Sequence, residues 1–441
     1  MSEPLLIRGG RVVDPESGFD GEADVLVRDG LVSEIGAGLS GDGVRVIDAR
    51  GCIVAPGFVD LHTHLREPGF EQKGTIATET AAALRGGFTT ICAMPNTTPA
   101  PDSATTVEAL LERIARDARV RVLPIGCVTR ERGGKQLAEL SELAAAGCIA
   151  FSDDGSPVAD GWLMRHALEL AGALGLPLSE HCDDPSLNHG GAMNEGAVSE
   201  RLGLAGQPVA AEISAISRNI ALCEATGARL HIAHVTTARG LELVADAKRR
   251  GLPITCEVTP SHLFLTEGAV FGPEKTPAYD TNAKINPPLR TEADRQALIR
   301  GVNDGTVDAI ATDHAPHAAE DKLCEFDDAA FGISCIETAL GTLMTSVDRG
   351  ELSLPAVLRA LTVGPAQAFA IDARIAGAGA LRLGVSSDIT VFHPTELWTV
   401  DPQRFASKGK NTPLGGQRLH GRVRAVIVRG DLRLHEEAPH D

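Results

Sequence analysis

The chain has 441 residues, 43% hydrophobic and 23% charged, enough to bury a sizeable core as one large domain with an appendage or as two to three ordinary domains. Its 41 basic and 59 acidic residues leave a net charge of −18, which argues against nucleic acid or an anionic membrane surface as a partner. A small anionic substrate is still allowed, because local arginines inside a cleft override the global field.

The start, MSEPLLIRGG, lacks the basic and apolar run of a secretory signal, and no apolar stretch reaches the roughly 18 residues of a membrane span. Nine cysteines without a CxxC pair point to reduced thiols. A cytoplasmic protein is expected. Residues 1–55 hold short alternating segments, LLIRGGRVVD, ADVLVRDGLVSEIG and VRVIDARGCIV, split by Gly and Asp turns. That is the texture of a small, mostly antiparallel β unit. It returns near the far end in SDITVFHP and RVRAVIVRGDLRL. One discontinuous β domain, 1–55 with 376–441, is therefore expected around a central insertion, 56–375.

Within that insertion, eight apolar candidate strands alternate with helical stretches: GFVDLHTHL, TTICAMPN, RVLPIGCVT, CIAFSDD, PLSEHCD, RLHIAHV, PITCEVTPSHLFL and DAIATDHAPH. Helices are read at 75–85, 136–146, 162–173, 210–226 and 292–302. Repeated strand–helix units predict a parallel sheet. Eight of them suggest an α/β fold of the (β/α)8 TIM-like barrel type with a small composite β-sandwich domain from both termini. A doubly wound open sheet is the alternative, since periodicity does not show closure.

Barrel enzymes carry their chemistry at the C-terminal ends of the strands. Here those ends collect His62, His64 and Arg66; Asn96; Asp153 and Asp154; His181; His231 and His234; and Asp313, His314 and His317. His62 and His64 are two apart, so on a strand they project to one face. His231 and His234 are three apart and face opposite sides, which makes one a ligand without saying which. Parity leaves the inward member of Asp153 and Asp154 open as well. Imidazole and carboxylate without thiolates suit a catalytic zinc or a similar metal. Asp313 beside it is a ligand or a proton carrier. Arg66, Asn96, Asn286 and Arg290 are candidate anion and amide binders, and Cys182 reads as a buried structural thiol. Together these point to making or breaking an amide-like bond.

The motifs PGFVDLHTHLREPG, GGFTTICAMPNT, AFSDDG, SEHCDD, HIAHVTT, INPPLR, IATDHAPH, FGI and SKGKNTP follow one another across residues 56–413. In this order they resemble the amidohydrolase superfamily, and within it the class I (bacterial-type) dihydroorotases. The resemblance implies one or two zinc ions per chain, with His62 and His64 on one, Asp154 shared, and His181 and His234 on a second. It implies Asp313 as ligand and general acid/base. His64, Arg66, Asn96, Asn286 and His317 would hold the substrate, with the backbone at Phe331 and Gly332. The implied reaction is the reversible cyclisation of N-carbamoyl-L-aspartate to L-dihydroorotate in pyrimidine biosynthesis, the hydrolytic direction starting with metal-hydroxide attack on the ring amide. A homo-oligomer, and an association with aspartate transcarbamoylase, come with the same resemblance.

One departure is local: Thr259-Pro260-Ser261-His262 stands where the family pattern has Pro-His-His, so His262 receives no catalytic role. Two rivals are weighed. Hydantoinase, dihydropyrimidinase and allantoinase relatives bridge their metals with a carboxylated lysine, and no lysine occurs between Lys135 and Lys248. A catalytically silent subunit would have lost ligand histidines or the aspartate, and all are present.

Overall fold

Apolar runs of two to six residues, each closed by a polar cluster, build the centre of the molecule. The computed structural model describes residues 3–272 and 278–436, so residues 1–2 and 437–441 at the ends of the expected terminal unit lie outside the described residues. The N-terminal strands are β1 (Leu5–Asp14), β2 (Phe19–Arg28), β3 (Leu31–Gly36), β4 (Arg45–Asp48) and β5 (Ile53–Pro56). The barrel strands are β6 (Phe58–Thr63), β7 (Phe88–Ala93), β8 (Arg121–Gly126), β9 (Ala150–Phe151) and β10 (Leu178–Glu180). After a small parallel pair, β11 (Met193–Asn194) and β12 (Gly206–Gln207), the barrel resumes with β13 (Leu230–Ile232), β14 (Ile254–Val258) and β15 (Ala309–Ile310). All eight expected strands are present, and they neighbour one another in chain order with parallel pairing. β6 and β7 are buried at every residue, as a parallel sheet covered on both faces requires.

The seam between β6 and β15 decides between barrel and open sheet. β15 is only two residues long, so a side chain does much of the joining. Asp60, fully buried, accepts from Thr312 N (2.9 Å) and Thr312 Oγ1 (2.5 Å) on one side, and from His62 N (3.1 Å) and Thr63 Oγ1 (2.7 Å) on its own. One rung further, His64 N donates to His314 O at 3.0 Å. The barrel is nearly closed, and the open-sheet alternative falls.

Helices lie at Ile76–Arg85, Leu140–Ala146, Gly161–Ala173, Val209–Thr226 and Glu292–Asp304, close to the expected stretches. The second starts four residues later than its pattern suggests. Residues 136–138 are used in extended pairing instead, with Arg130 N donating to Gln136 O and Ala138 N to Val128 O.

Both termini meet in a separate sheet, completed by β16 (Ile389–Thr399), β17 (Arg418–Val428) and β18 (Asp431–His435). Its order is β18-β17-β16-β5-β1-β2-β3, with β4 beside β1. Pairing is antiparallel except where β1 meets β4 and β5. Ile7, Val25, Val54, Ile389, Val391 and Ile427 fill its own core. Thr390 Oγ1 donates to Gly87 O at 2.6 Å and ties the sheet to the barrel.

Candidate metal centre and active site

The site is built by residues at or just beyond strand ends. His62 is the penultimate residue of β6 and His64 lies just past its end, both turned into the site as their spacing predicts. Asp154 comes three residues after β9, His181 one after β10 and His234 two after β13. Their ligand atoms form two buried trios, His62–His64–Asp154 and Asp154–His181–His234, each with its atoms within 4.8 Å of one another. Asp154 belongs to both. Its Oδ1 lies 3.3 Å from His62 Nε2, 3.3 Å from His234 Nε2 and 3.7 Å from His181 Nδ1; its Oδ2 is 3.6 Å from His64 Nε2. Asp313 completes the ring, with Oδ1 2.9 Å from His64 Nε2 and 3.6 Å from His62 Nε2.

The electrostatics fit a divalent cation. Burial disfavours any charge here, yet the three neighbouring imidazoles hold Asp154 well below the usual carboxylate range. Burial likewise opposes a charged His62, but Asp154 and Glu257 outweigh it and raise its proton affinity well above normal. The field that draws a proton to His62 also draws a metal ion. His62 Nε2 is buried without a hydrogen-bond partner, as is His234 Nδ1. A converging set of imidazole nitrogens around shared carboxylate oxygens, with no thiol among them, is a metal-binding donor set.

The alternatives left open by parity resolve here. Asp153 turns away and accepts from Val128 N and Thr129 N, leaving Asp154 inward. His231 is outside both trios, held behind Glu257 with Nε2 3.1 Å from its carboxylate, so His234 is the one in the cluster. Cys182 is buried and outside both trios.

The expected substrate residues gather around this centre. Asn96 Oδ1 is 2.9 Å from His64 Nδ1, and Asn286 Nδ2 is 3.3 Å from His181 Nε2. Arg66 is buried, which brings its pKa down to about 10 against the pull of Asp313 and Glu79. Its Nε donates to Pro316 O at 3.0 Å, and its Nη2 lies 3.2 Å from His317 Nε2. Burial, then the cations of Arg66, Lys322 and Lys73, push the His317 imidazole down to about 3 and keep it neutral. The backbone at Phe331 and Gly332 is engaged within the protein: Phe331 O faces His317 Nε2 at 2.8 Å, and Gly332 N donates to Lys284 O at 2.9 Å. Arg290 does not join the site, because its guanidinium is taken up by Asn194 Oδ1, Gln207 O and Thr236 Oγ1. His262 is buried beside the cluster but belongs to neither trio, its ring held between Thr259 Oγ1 (2.8 Å) and Pro287 O (3.0 Å). Three site residues have left-handed backbone: Arg66 (φ 66°), His234 (φ 31°) and Asp313 (φ 48°). For residues other than glycine this costs about 1–3 kcal/mol each.

Four further residues support the site, three of them unmarked by the sequence reading, which took Asp60 only as a flank of the His62–His64 pair. Glu257 backs His62 at 2.8 Å, and Glu79 holds His314, the neighbour of Asp313, at 2.8 Å. Arg132 Nη2 grips the Asp154 carbonyl at 2.6 Å, and Asp60 closes the seam. Asp60 and Glu257 are charged residues within apolar strands, and that mismatch was the signal available.

Residues 51–239 match the family model described as dihydro-orotase-like. A dihydroorotase of Anaeromyxobacter sp. (strain K) is 50% identical over the full length of both chains. A dihydroorotase of Syntrophus aciditrophicus is 45% identical over 98% of this chain and 100% of that protein. Among solved structures, the L-hydantoinase (dihydropyrimidinase) of Arthrobacter aurescens superposes with a TM-score of 0.85 at 25% identity, covering 98% of this chain and 96% of that one. The D-hydantoinase of a Thermus species gives a TM-score of 0.81 at 26% identity over 98% and 95%. Half of all positions shared end to end, on a barrel whose strand ends converge on Asp154, place this chain in the dihydroorotase family.

Proposed function

We propose that the chain is a zinc-dependent dihydroorotase, interconverting N-carbamoyl-L-aspartate and L-dihydroorotate in pyrimidine biosynthesis in the cytoplasm. The observation that carries this reading is the company Arg66 keeps. A buried cation sits on the segment that supplies His62 and His64, and it feels the Asp313 carboxylate. That puts a partner for the substrate carboxylate beside a group able to move protons.

His62, His64 and Asp154, with Asp313 alongside, would hold one zinc; Asp154, His181 and His234 would hold a second. When bound, the metal supplies polarisation of the ring amide carbonyl and an attacking water acidic near neutral pH. The remaining work belongs to the chain. Arg66 and Asn96 fix the substrate carboxylate, a charge-assisted contact that an uncharged ring lacks. Asn286, neutral His317 and the Phe331–Gly332 backbone orient the ring, the backbone groups exchanging their internal partners for it. Asp313, held below the ordinary carboxylate range by the positive charge its neighbours gather at the centre, takes the proton of the attacking water and delivers it to the departing ring nitrogen.

The likeness to hydantoinases favours one second reading, hydrolysis of an uncharged cyclic amide. The buried Arg66 and the lack of any lysine between Lys135 and Lys248 weigh against it. A metal-loaded assay of dihydroorotate beside hydantoin, dihydrouracil and allantoin, with metal counted on the same sample, separates the two. Strong preference for dihydroorotate is expected, and preference for an uncharged hydantoin overturns the assignment. A homo-oligomer, alone or with aspartate transcarbamoylase, completes the reading; sedimentation of the chain by itself and mixed with that enzyme tests it.

A further inference from the structure

β14 carries a single charged residue, Glu257, and it is 1% exposed. A carboxylate buried this deeply costs several kcal/mol unless its oxygens are matched. Both are, and by imidazoles: Oε1 lies 2.8 Å from His62 Nδ1, and Oε2 lies 3.1 Å from His231 Nε2. His231 is itself immobilised, with Nδ1 2.8 Å from Thr255 Oγ1 and its ring edge-on to Phe369. A carboxylate accepts only, so each imidazole must present an N–H to it. For His62 this puts a proton on Nδ1 and aims Nε2, which has no hydrogen-bond partner, at the shared Asp154.

The other imidazoles of the cluster have weaker backing. His64 Nδ1 meets the Asn96 amide oxygen, His181 Nε2 meets the Asn286 amide, and His234 Nδ1 meets no polar atom within hydrogen-bond reach. Among the described residues, only His62 has an anion behind it on the side away from the centre. An anionic partner raises the basicity of a metal-ligating histidine and fixes its ring.

We propose that Glu257, held in place by His231, is a positioning residue. It sets the His62 tautomer and ring orientation, and it makes the His62–His64–Asp154 position bind its metal more tightly than the Asp154–His181–His234 position. This rests on the reading of His62 as a metal ligand.

The test challenges the full-length zinc-loaded chain with graded chelator and follows metal release. It is joined by proton–nitrogen NMR of the histidine rings in the cadmium-loaded chain. Parent protein should release metal in two unequal steps and show a strongly downfield His62 Nδ1–H. Glu257→Gln should weaken the tighter step by roughly 10–100-fold, leave the weaker step within about threefold, and move the Nδ1–H upfield while circular dichroism stays unchanged. Should Glu257→Gln fail to fold, Glu257→Asp, which keeps the charge but withdraws it from His62, should show the same pattern more weakly. Two equal steps in the parent, or a tight step and Nδ1–H shift unaltered in the folded variant, overturn the proposal. His62→Ala separates the failures. If it removes the tight step while Glu257→Gln does not, only the role of Glu257 falls; if it removes neither step, the metal reading of His62 falls with it.

Discussion

Asp153 and Asp154 are consecutive, both buried, and committed to entirely different partners. Asp153 receives Val128 N at 2.8 Å and Thr129 N at 3.1 Å, fastening the loop after β8. Asp154 faces four imidazoles. Their substitutions should therefore separate. Asp153→Ala leaves buried donors unmatched and should lower stability by about 2–4 kcal/mol with metal still bound. Asp154→Ala should lose metal with little change in the melting of metal-free protein. Melting curves and metal counts on both variants check this.

Asp313 is the proposed proton carrier. Asp313→Ala should reduce kcat by about 10²–10⁴-fold while circular dichroism and the melting profile stay close to the parent. Full activity in that variant would remove Asp313 from the mechanism.

Arg66 should act on binding. Arg66→Gln removes a charge-assisted contact of about 1.5–3 kcal/mol, so KM for dihydroorotate should rise roughly 10–100-fold. Any residual turnover of an uncharged hydantoin should be far less affected. Steady-state kinetics with both substrates decide it.

His262 gives a pH prediction. Burial, opposed by the Pro287 carbonyl, lowers its pKa from 6.5 to about 4. The folded chain then holds fewer protons than the unfolded chain between those values. This stabilising contribution is present above about pH 6.5 and is lost as pH falls through about 4, with a ceiling near 3 kcal/mol. His262→Gln should flatten the pH dependence of unfolding across that window, as read by denaturant titrations at several pH values.

Much of this architecture is legible in the chain because nearly every barrel strand runs from mostly apolar residues into a polar cluster, and that boundary locates the strand ends. Spacing two apart brings His62 and His64 together at the end of β6, although the strand's pairing with β7 shifts register between Asp60 and Thr63. Spacing stops working at His234, which lies beyond β13 on left-handed backbone, where alternation no longer applies. Arg290 shows a different limit. Arginine type and loop position suggest an anion binder, but only three-dimensional packing reveals the acceptors on Asn194, Gln207 and Thr236 that occupy it. Glu257 was hidden by the strand pattern itself, because alternation says which face a residue takes and not what waits there. The late start at Leu140 reflects backbone pairing of residues 136–138, a long-range contact that helix propensity does not register.

The left-handed backbone at Arg66, His234 and Asp313 has a consequence for any effort to make this protein hardier. Glycine adopts that conformation freely, whereas alanine does so at a cost of about 1–2 kcal/mol. Asp313→Gly should therefore melt above Asp313→Ala, and neither should turn over substrate. A thermotolerance screen run without an activity assay would favour glycine at these three places and erase the chemistry while improving the scaffold.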